Sequence, residues 1–146
     1  MLDHDRSVTR WTCPACERQF GRAHQAHVCV PAGTIDESFA GRPPVQREIL
    51  DDLLTHLRAL GPGQIDAVRV GAFLYSDRKL AEIRPLARSL ALIVVPPRPT
   101  DHPRIARRMT IGAGRIAHVV KLVTPEDIDD DVRAWLTEAY AAATDQ

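Results

Sequence analysis

Every cysteine of the chain lies in one short segment near the N-terminus. Cys13 and Cys16 form a Cys-Pro-Ala-Cys motif, and His27 and Cys29 follow further along, with His24 beside them. Thiolates and imidazoles at such spacings are the ligands of tetrahedral zinc sites. The cluster therefore predicts a metal-stabilised module, and a closed metal site constrains the fold of this segment more than any apolar pattern within it.

The spacing also predicts which side chains bind the metal. The Cys13-x-x-Cys16 knuckle directs two sulfurs to one ion, while His27 and Cys29 are alternate residues and share a face of an extended segment. His24 is the competing third ligand, because three residues before His27 is a spacing that fits a helical turn. Four protein ligands leave no position for water, so the predicted zinc is structural. A module of about twenty residues buries no core, and metal binding would supply most of its folding free energy.

The cluster has two other interpretations. Residues 11–16 (WTCPAC) superficially resemble a thioredoxin-type redox motif, which requires a preceding strand and a following helix. Here a third cysteine and two histidines follow instead. The remaining interpretation is three unrelated buried cysteines. The concentration of thiols and imidazoles in one segment favours the zinc site over both.

The length and composition allow one ordinary domain beside this small module. The chain has 146 residues, of which 45% are apolar and 26% charged, the balance of a soluble globular protein. Its longest apolar run, residues 90–95, is far shorter than the roughly 20 residues of a membrane-spanning helix. The polar N-terminus is unlike a secretory signal, and three clustered cysteines do not form a disulfide framework. We expect a cytoplasmic protein with reduced thiols and no membrane segment.

The net charge of zero hides an uneven distribution along the chain. Residues 1–68 carry 7 basic and 9 acidic side chains (−2), residues 69–121 carry 11 and 3 (+8), and residues 122–146 carry 1 and 7 (−6). A basic centre of this kind binds an anionic partner or the acidic tail of its own chain.

Four regions are predicted: a disordered leader at 1–10, the zinc-binding module at 11–30, a linker at 31–41 and an α+β domain at 42–146. An apolar stripe at helical spacing predicts a helix over 43–60, which Gly61-Pro62-Gly63 ends. Alternation predicts a strand at 68–75, and two hairpins are predicted at 79–95 and 105–123. Thr124 and Asp127 form a capping box that predicts the start of the last helix. The fold class is α+β, with an antiparallel sheet of about five strands flanked by an N-terminal and a C-terminal helix.

The basic central segment supplies candidate binding residues, namely Arg84, Arg104, Arg107 and Arg108. On one sheet face they would bind nucleic-acid phosphates. The competing interpretation is a solvated face, partly neutralised by the acidic residues at 126–131. Aromatic residues are 5% of the chain, which makes a stacking platform for single strands thin.

Other motifs have a structural interpretation. His118 lies on an otherwise apolar strand, where a hydrogen-bonded core histidine is more common than a catalyst. Gly112-Ala113-Gly114 is typical of a hairpin turn rather than of a phosphate-binding loop. No pair of carboxylates or Ser, His and Asp combination suggests catalysis, so the sequence favours a protein that is not an enzyme.

Several of these motifs together resemble one family. The patterns W-x-C-P-x-C-x-R-x-F and Q-x-H-x-C at residues 11–29 resemble the zinc-binding leader of some bacterial proteins of the family known as domain of unknown function 5655. Residues 39–44 (FAGRPP), 57–62 (LRALGP), 123–127 (VTPED) and 135–140 are similar to segments of the domain itself. The resemblance covers nearly the whole chain from Trp11, and it implies no established biochemical activity.

The resemblance also bears on individual residues. His24 falls where relatives tend to have Asn, which favours His27 and Cys29 as ligands. Arg69 and His118 fall where the resemblance implies a basic residue and a strand histidine, and so a shared site. Arg69-Val70 departs from the Lys-Ser/Thr pair expected there, so the resemblance implies no inherited chemistry at this point.

Three functional hypotheses follow. The first is a non-enzymatic binding module with structural zinc, whose basic sheet face binds an anionic partner, with nucleic acid as the favoured candidate. The second is a small-molecule binder or enzyme with a pocket near Arg69 and His118. The third is a protein-interaction adaptor that uses its acidic and basic surfaces.

Overall fold

A computed structural model of the chain describes residues 11–14, 34–69 and 71–144, and the backbone of residues 19–20. The predicted leader at 1–10 and most of the predicted zinc module lie outside the described residues. In chain order the elements are β1 (Trp11–Thr12), β2 (Gln19–Phe20), α1 (Ile35–Ser38), α2 (Pro44–Leu60), β3 (Gln64–Val68), β4 (Gly71–Tyr75), β5 (Lys79–Pro85), β6 (Leu90–Val94), β7 (Ile105–Thr110), β8 (Ile116–Leu122) and α3 (Asp130–Ala142).

The main sheet confirms the α+β class and its antiparallel strands. Within the described residues it has six strands in the order β3-β4-β5-β6-β8-β7, and every neighbouring pair is antiparallel. The two predicted hairpins are present as β5–β6 and β7–β8. Gly112–Gly114 forms a short 3-10 turn between β7 and β8, as its composition predicted.

The predicted single strand at 68–75 was wrong, because the chain turns back within it. Val68 pairs with Gly71, so Arg69 lies in the tight turn between β3 and β4. Gly71 has a φ of +123°, a conformation that residues with a Cβ rarely adopt. Apolar alternation continues on both sides of the turn, and this concealed the reversal.

Both long helices pack on the same face of the sheet rather than on opposite sides. One core cluster joins Ile49, Leu53 and their neighbours in α2 and Val132 and Leu136 in α3 to sheet residues such as Leu92. The helix predicted at 43–60 is observed as Pro44–Leu60. The opposite face of the sheet, here called the open face, is not covered by α2 or α3.

A buried amide ties α2 to the β5–β6 hairpin. The Nε2 atom of Gln46 donates hydrogen bonds to the carbonyls of Leu86 (2.7 Å) and Ser89 (3.0 Å), on either side of the hairpin turn. Gln46 is 1% exposed. Because unpaired carbonyls are costly to bury, this side chain fixes the hairpin on the helix.

The last helix begins later than the sequence predicted. The capping box of Thr124 and Asp127 is present, but it closes a separate 3-10 turn at Pro125–Asp127. Asp129 is the N-cap of α3, and its carboxylate accepts a hydrogen bond from the backbone N–H of Val132 at 3.0 Å. Two N-terminal caps, Thr124 and Asp129, therefore follow one another, and the sequence pattern identified the first.

The described part of the predicted linker is also structured. Thr34 and Glu37 form a capping box around the short helix α1, and Phe39 is buried in the core. Ser38 Oγ donates a 2.7 Å hydrogen bond to the carbonyl of Val68. The domain therefore begins before residue 42, because these contacts fix the segment to the β3–β4 turn.

Candidate anion-binding surface

The open face of the sheet carries basic side chains, and the strand register shows which ones. Arg84, Ala91 and Lys121 are cross-strand neighbours and form one row of residues across the sheet. Arg107 is the cross-strand neighbour of Val119 and belongs to the adjacent row on the same face. These rows belong to the face opposite the core. The charge predicted for one sheet face is therefore present for Arg84 and Arg107, and the register adds Lys121.

A shallow cavity of about 240 Å³ lies on this face. Its basic lining residues are Lys79, Arg84 and Arg107. Half-buried apolar side chains, among them Ile93 and Met109, form its floor. The surface thus combines cations with an apolar floor, which suits a ligand that has both charged and flat apolar parts.

Glu82 is the one acidic side chain among the described residues that line this cavity. Its carboxylate contacts Arg84 Nε at 2.5 Å and Lys79 Nζ at 3.6 Å. The Lys79 ammonium also lies 4.2 Å from the centre of the Phe73 ring, a cation–π geometry. Glu82 therefore holds two of the cations in place on the surface while leaving the face positive.

A second and larger cavity of about 380 Å³, here called the end groove, lies where loops meet the end of α3. Its walls are the start of β5, the proline-rich segment at 95–99, the turn between β7 and β8 and the alanines at the end of α3. Four cations line it: Arg78, Lys79, Arg98 and Arg115. No acid is among the described residues that line it, although Glu82 lies 3.6 Å from Lys79 Nζ and Glu138 4.0 Å from Arg98, so the described lining has a net positive charge.

The cations of the end groove are held by the backbone around them. Arg78 Nη2 donates a 2.7 Å hydrogen bond to the carbonyl of Ala142 in the last turn of α3, where a cation is favoured by the helix dipole. Arg115 Nε donates to the carbonyl of Gly112 at 3.3 Å. Arg98 lies between Pro97 and Pro99, whose rings restrict the backbone. Its side chain is 79% exposed, and its Nη2 atom lies 4.0 Å from Glu138 Oε1.

The two cavities adjoin. Lys79 and Val95 line both of them. A continuous basic track therefore runs from Lys121 and Arg84 on the open face to Arg115 in the end groove. α3 packs on the covered side of the sheet, and its Glu138 comes within 4.0 Å of Arg98 in the end groove.

Two of the predicted surface arginines lie elsewhere. Arg104 Nη1 pairs with Asp129 at 2.5 Å, and its Nη2 donates to the carbonyl of Asp127 at 2.9 Å. Arg108 lies opposite His118 and so faces the helix side of the sheet. A bulge between Ile105 and Arg107 places the adjacent Arg107 on the other face. Arg104 is therefore neutralised by an acid of its own chain, as the competing interpretation expected.

The structure does not bring Arg69 and His118 together. Arg69 lies in the β3–β4 turn, whereas His118 lies on β8, four strands across the sheet from β3. At about 4.8 Å between strands, this separation is roughly 19 Å. One small pocket cannot include both residues.

His118 is a buried and hydrogen-bonded histidine. It is 1% exposed; its Nε2 accepts from the backbone N–H of Thr100 (2.9 Å), and its Nδ1 lies 3.0 Å from the carbonyl of Ile116. These partners fit the neutral ring protonated on Nδ1. Burial lowers the pKa of His118 below its ordinary value, and the charge of Arg108 lowers it further, against the hydrogen bond to Ile116.

The lowered pKa of His118 gives a pH dependence of stability. Between the folded pKa and about 6.5, the unfolded chain binds more protons at this site than the folded protein does. The contribution of His118 to the free energy of unfolding is therefore complete above that range and is lost as the pH falls through it. Urea denaturation at pH values above and below about 6.5 should show a smaller pH dependence in His118→Gln. An equal pH dependence in both proteins would contradict this assignment.

Sequence reasoning missed Lys121 and Arg115 as members of the basic track. Lys121 was assigned to the last predicted strand, and its position opposite Ala91 places it on the face of Arg84. Arg115 immediately follows the Gly-Ala-Gly turn, so the turn prediction already placed it at a sheet end. The sequence alone could not show that Lys121 and Arg115 belong to one surface with Arg78 and Arg98, because this depends on the strand order.

Of the predicted metal ligands, Cys13 is described, and it is 4% exposed. Cys16, His27, Cys29 and the competing His24 lie outside the described residues. Across residues 11–14, 34–69 and 71–144, no group of three His, Cys, Asp or Glu side chains could hold a metal ion. β1 and β2 pair Trp11 with Phe20 across the segment that contains Cys13 and Cys16.

The architecture and surface define a class: an α+β domain with a six-stranded antiparallel sheet, helices on one face and a basic opposite face. Comparison with protein families identifies it more closely. The family model for the domain of unknown function (DUF5655) matches residues 35–143, so the chain belongs to this family. Searches of curated proteins and of solved structures gave no match. None of the helices in the described ranges is both long and apolar enough to cross a membrane.

Proposed function

We propose that the protein is a non-enzymatic binding module that holds nucleic acid on its open face and contains a structural zinc ion. The observation that carries this proposal is the part of the basic track on the open face, on the side of the sheet away from the acidic helix. The basic residues on this face are Lys79, Arg84, Arg107 and Lys121. The acidic residues on the same face are Glu82 and the buried Asp66.

Nucleic acid suits this track better than an acidic protein does. A phosphate backbone is a regular row of single negative charges. The cations of the open face are likewise spread over β5, β8 and β7 rather than gathered in one compact patch. The half-buried Ile93, Val119 and Met109 lie between the cations and can contact sugars or bases. Since Lys79 already covers one side of Phe73, stacking is secondary and binding depends mainly on phosphates.

Salt dependence is the direct test. Four phosphate contacts predict that log Kd against log salt has a slope with a magnitude of roughly 3 to 4. Affinity should then fall about 100-fold between roughly 50 and 200 mM salt. Fluorescence anisotropy with labelled single-stranded and duplex oligonucleotides of mixed sequence measures the slope for each form. No binding at low salt, or a slope near zero, would contradict nucleic-acid binding.

The zinc proposal rests on the N-terminal cysteines and on the β1–β2 ladder. That ladder pairs Thr12 with Gln19 as well as Trp11 with Phe20, so the two ends of the segment that carries Cys13 and Cys16 lie side by side. Two cysteines at Cys-x-x-Cys spacing suit a tetrahedral ion, with His27 and Cys29 proposed to complete the site. Thiolate ligands persist in a reducing compartment, which supports a cytoplasmic location.

Elemental analysis tests the zinc site. We expect about one zinc per chain, lost in Cys16→Ser because three ligands bind far more weakly than four. The pair His27→Ala and His24→Ala separates the two candidate histidines: the first should lose zinc and the second should retain it. Less than about a tenth of an equivalent in fully reduced wild-type protein would refute the site.

A further inference from the structure

The end groove differs from the open face in shape and in charge density. Its volume of about 380 Å³ lies near the lower end of small-molecule pockets, which span roughly 300–1,000 Å³. It therefore fits one nucleotide-sized group rather than a length of strand. Arg78, Lys79, Arg98 and Arg115 all line this one small space, whereas the cations of the open face are spread across several strands.

That charge density matches a phosphate monoester better than a phosphodiester. A diester within a strand carries one negative charge, while a terminal phosphate carries about −1.5 to −2 near neutral pH and has three strong acceptor oxygens. Arginine guanidiniums are planar donors that bind such oxygens in pairs. Ala139, Ala142 and Ala143 contribute small side chains to the wall, so the groove remains open to the arginines.

The position of the groove links it to the open face. Because Lys79 and Val95 line both cavities, a strand lying along the open face reaches the groove with its end. We propose that the end groove binds the terminal phosphate of the nucleic acid that the open face holds. This inference rests on the proposed function, since it places the end of the nucleic-acid strand that the open face is proposed to hold.

The test compares one short oligonucleotide in three forms: with a 5′-phosphate, with a 3′-phosphate and with hydroxyl groups at both ends. We expect one phosphorylated form to bind about tenfold more tightly than the hydroxyl form in an anisotropy titration. The double variant Arg98→Ala/Arg115→Ala should remove this preference, so that all three forms bind with the same affinity. Arg88→Ala, an exposed arginine in the β5–β6 turn, is the matched control and should keep the preference.

A second measurement separates failure of this inference from failure of the proposed function. The melting temperature in millimolar AMP, compared with adenosine, reports on the end groove without the open face. A rise with AMP that Arg98→Ala/Arg115→Ala abolishes supports the groove even if no oligonucleotide binds, in which case nucleic-acid binding is refuted. Equal affinity for all three oligonucleotides, with no effect of AMP, overturns the terminal-phosphate site whether or not the open face binds.

Discussion

Gly71→Ala should cost more than about 4 kcal/mol of the free energy of unfolding. Gly71 begins β4, and a methyl group there would overlap the carbonyl oxygen of Ile83 in the neighbouring strand; the carbonyl carbon of Ile83 would be 3.0 Å away and Arg84 Cα 3.3 Å away. These are backbone atoms within the β4–β5 ladder, so relief requires these two neighbouring strands to separate. A φ of +123° adds strain for any residue with a Cβ.

Two other glycines make this prediction specific. Gly112 has open space where an added methyl group would lie, so Gly112→Ala should be close to neutral. Gly41 has a positive φ of +76° but also open space, so Gly41→Ala reports backbone strain without a clash and should cost about 1 kcal/mol. Urea denaturation ranks the three variants. If Gly71→Ala costs no more than Gly41→Ala, the close approach of β4 and β5 is wrong.

The same turn shows where sequence reasoning succeeds and where it stops. The β5–β6 and β7–β8 hairpins were predictable, since their apolar runs are separated by clear turn residues. The β3–β4 hairpin was not, because its turn is too short to interrupt the alternation of Val68, Ala72 and Leu74. Gly71 was the local signal, yet a single glycine within a strand pattern also indicates a bulge.

Helix boundaries show a related limit. Thr124 and Asp127 are a good N-terminal signal, and the structure uses them: the backbone N–H groups of Val123 and Thr124 donate to the Asp127 carboxylate and lower its pKa. The chain nevertheless starts α3 from Asp129. Local capping chemistry identifies positions where a helix can begin, whereas packing of Val132 and Leu136 in the core decides which one continues.

The candidate site was predictable in kind but not in composition. Charge counting placed the cations in the central segment, and the strand register places Arg84 and Arg107 on the open face. Arg104 is held by Asp129, which the sequence allowed as an alternative. The end groove could not be predicted, because Arg78, Arg98 and Arg115 are distant in sequence and meet only through the strand order and the end of α3.

Reversing two charges on the open face should abolish most nucleic-acid binding. Arg84→Glu/Arg107→Glu removes two phosphate contacts and adds two repulsive charges to the track. We expect affinity at low salt to fall by about 100-fold or more, and the magnitude of the salt slope to decrease by about 2. Because both side chains are exposed, the fold should be retained, which a thermal melt would verify.

The bulge in β7 provides a matched control for this double variant. Arg107 and Arg108 are neighbours in sequence and both are exposed, yet they lie on opposite faces of the sheet. Arg88→Glu/Arg108→Glu changes the net charge by the same amount and leaves the basic track intact. If binding depended on overall charge, both double variants would weaken it equally. If it depends on the open face, the control keeps a Kd within about threefold of wild type when both double variants are compared at physiological salt, because screening there limits the effect of distant charges.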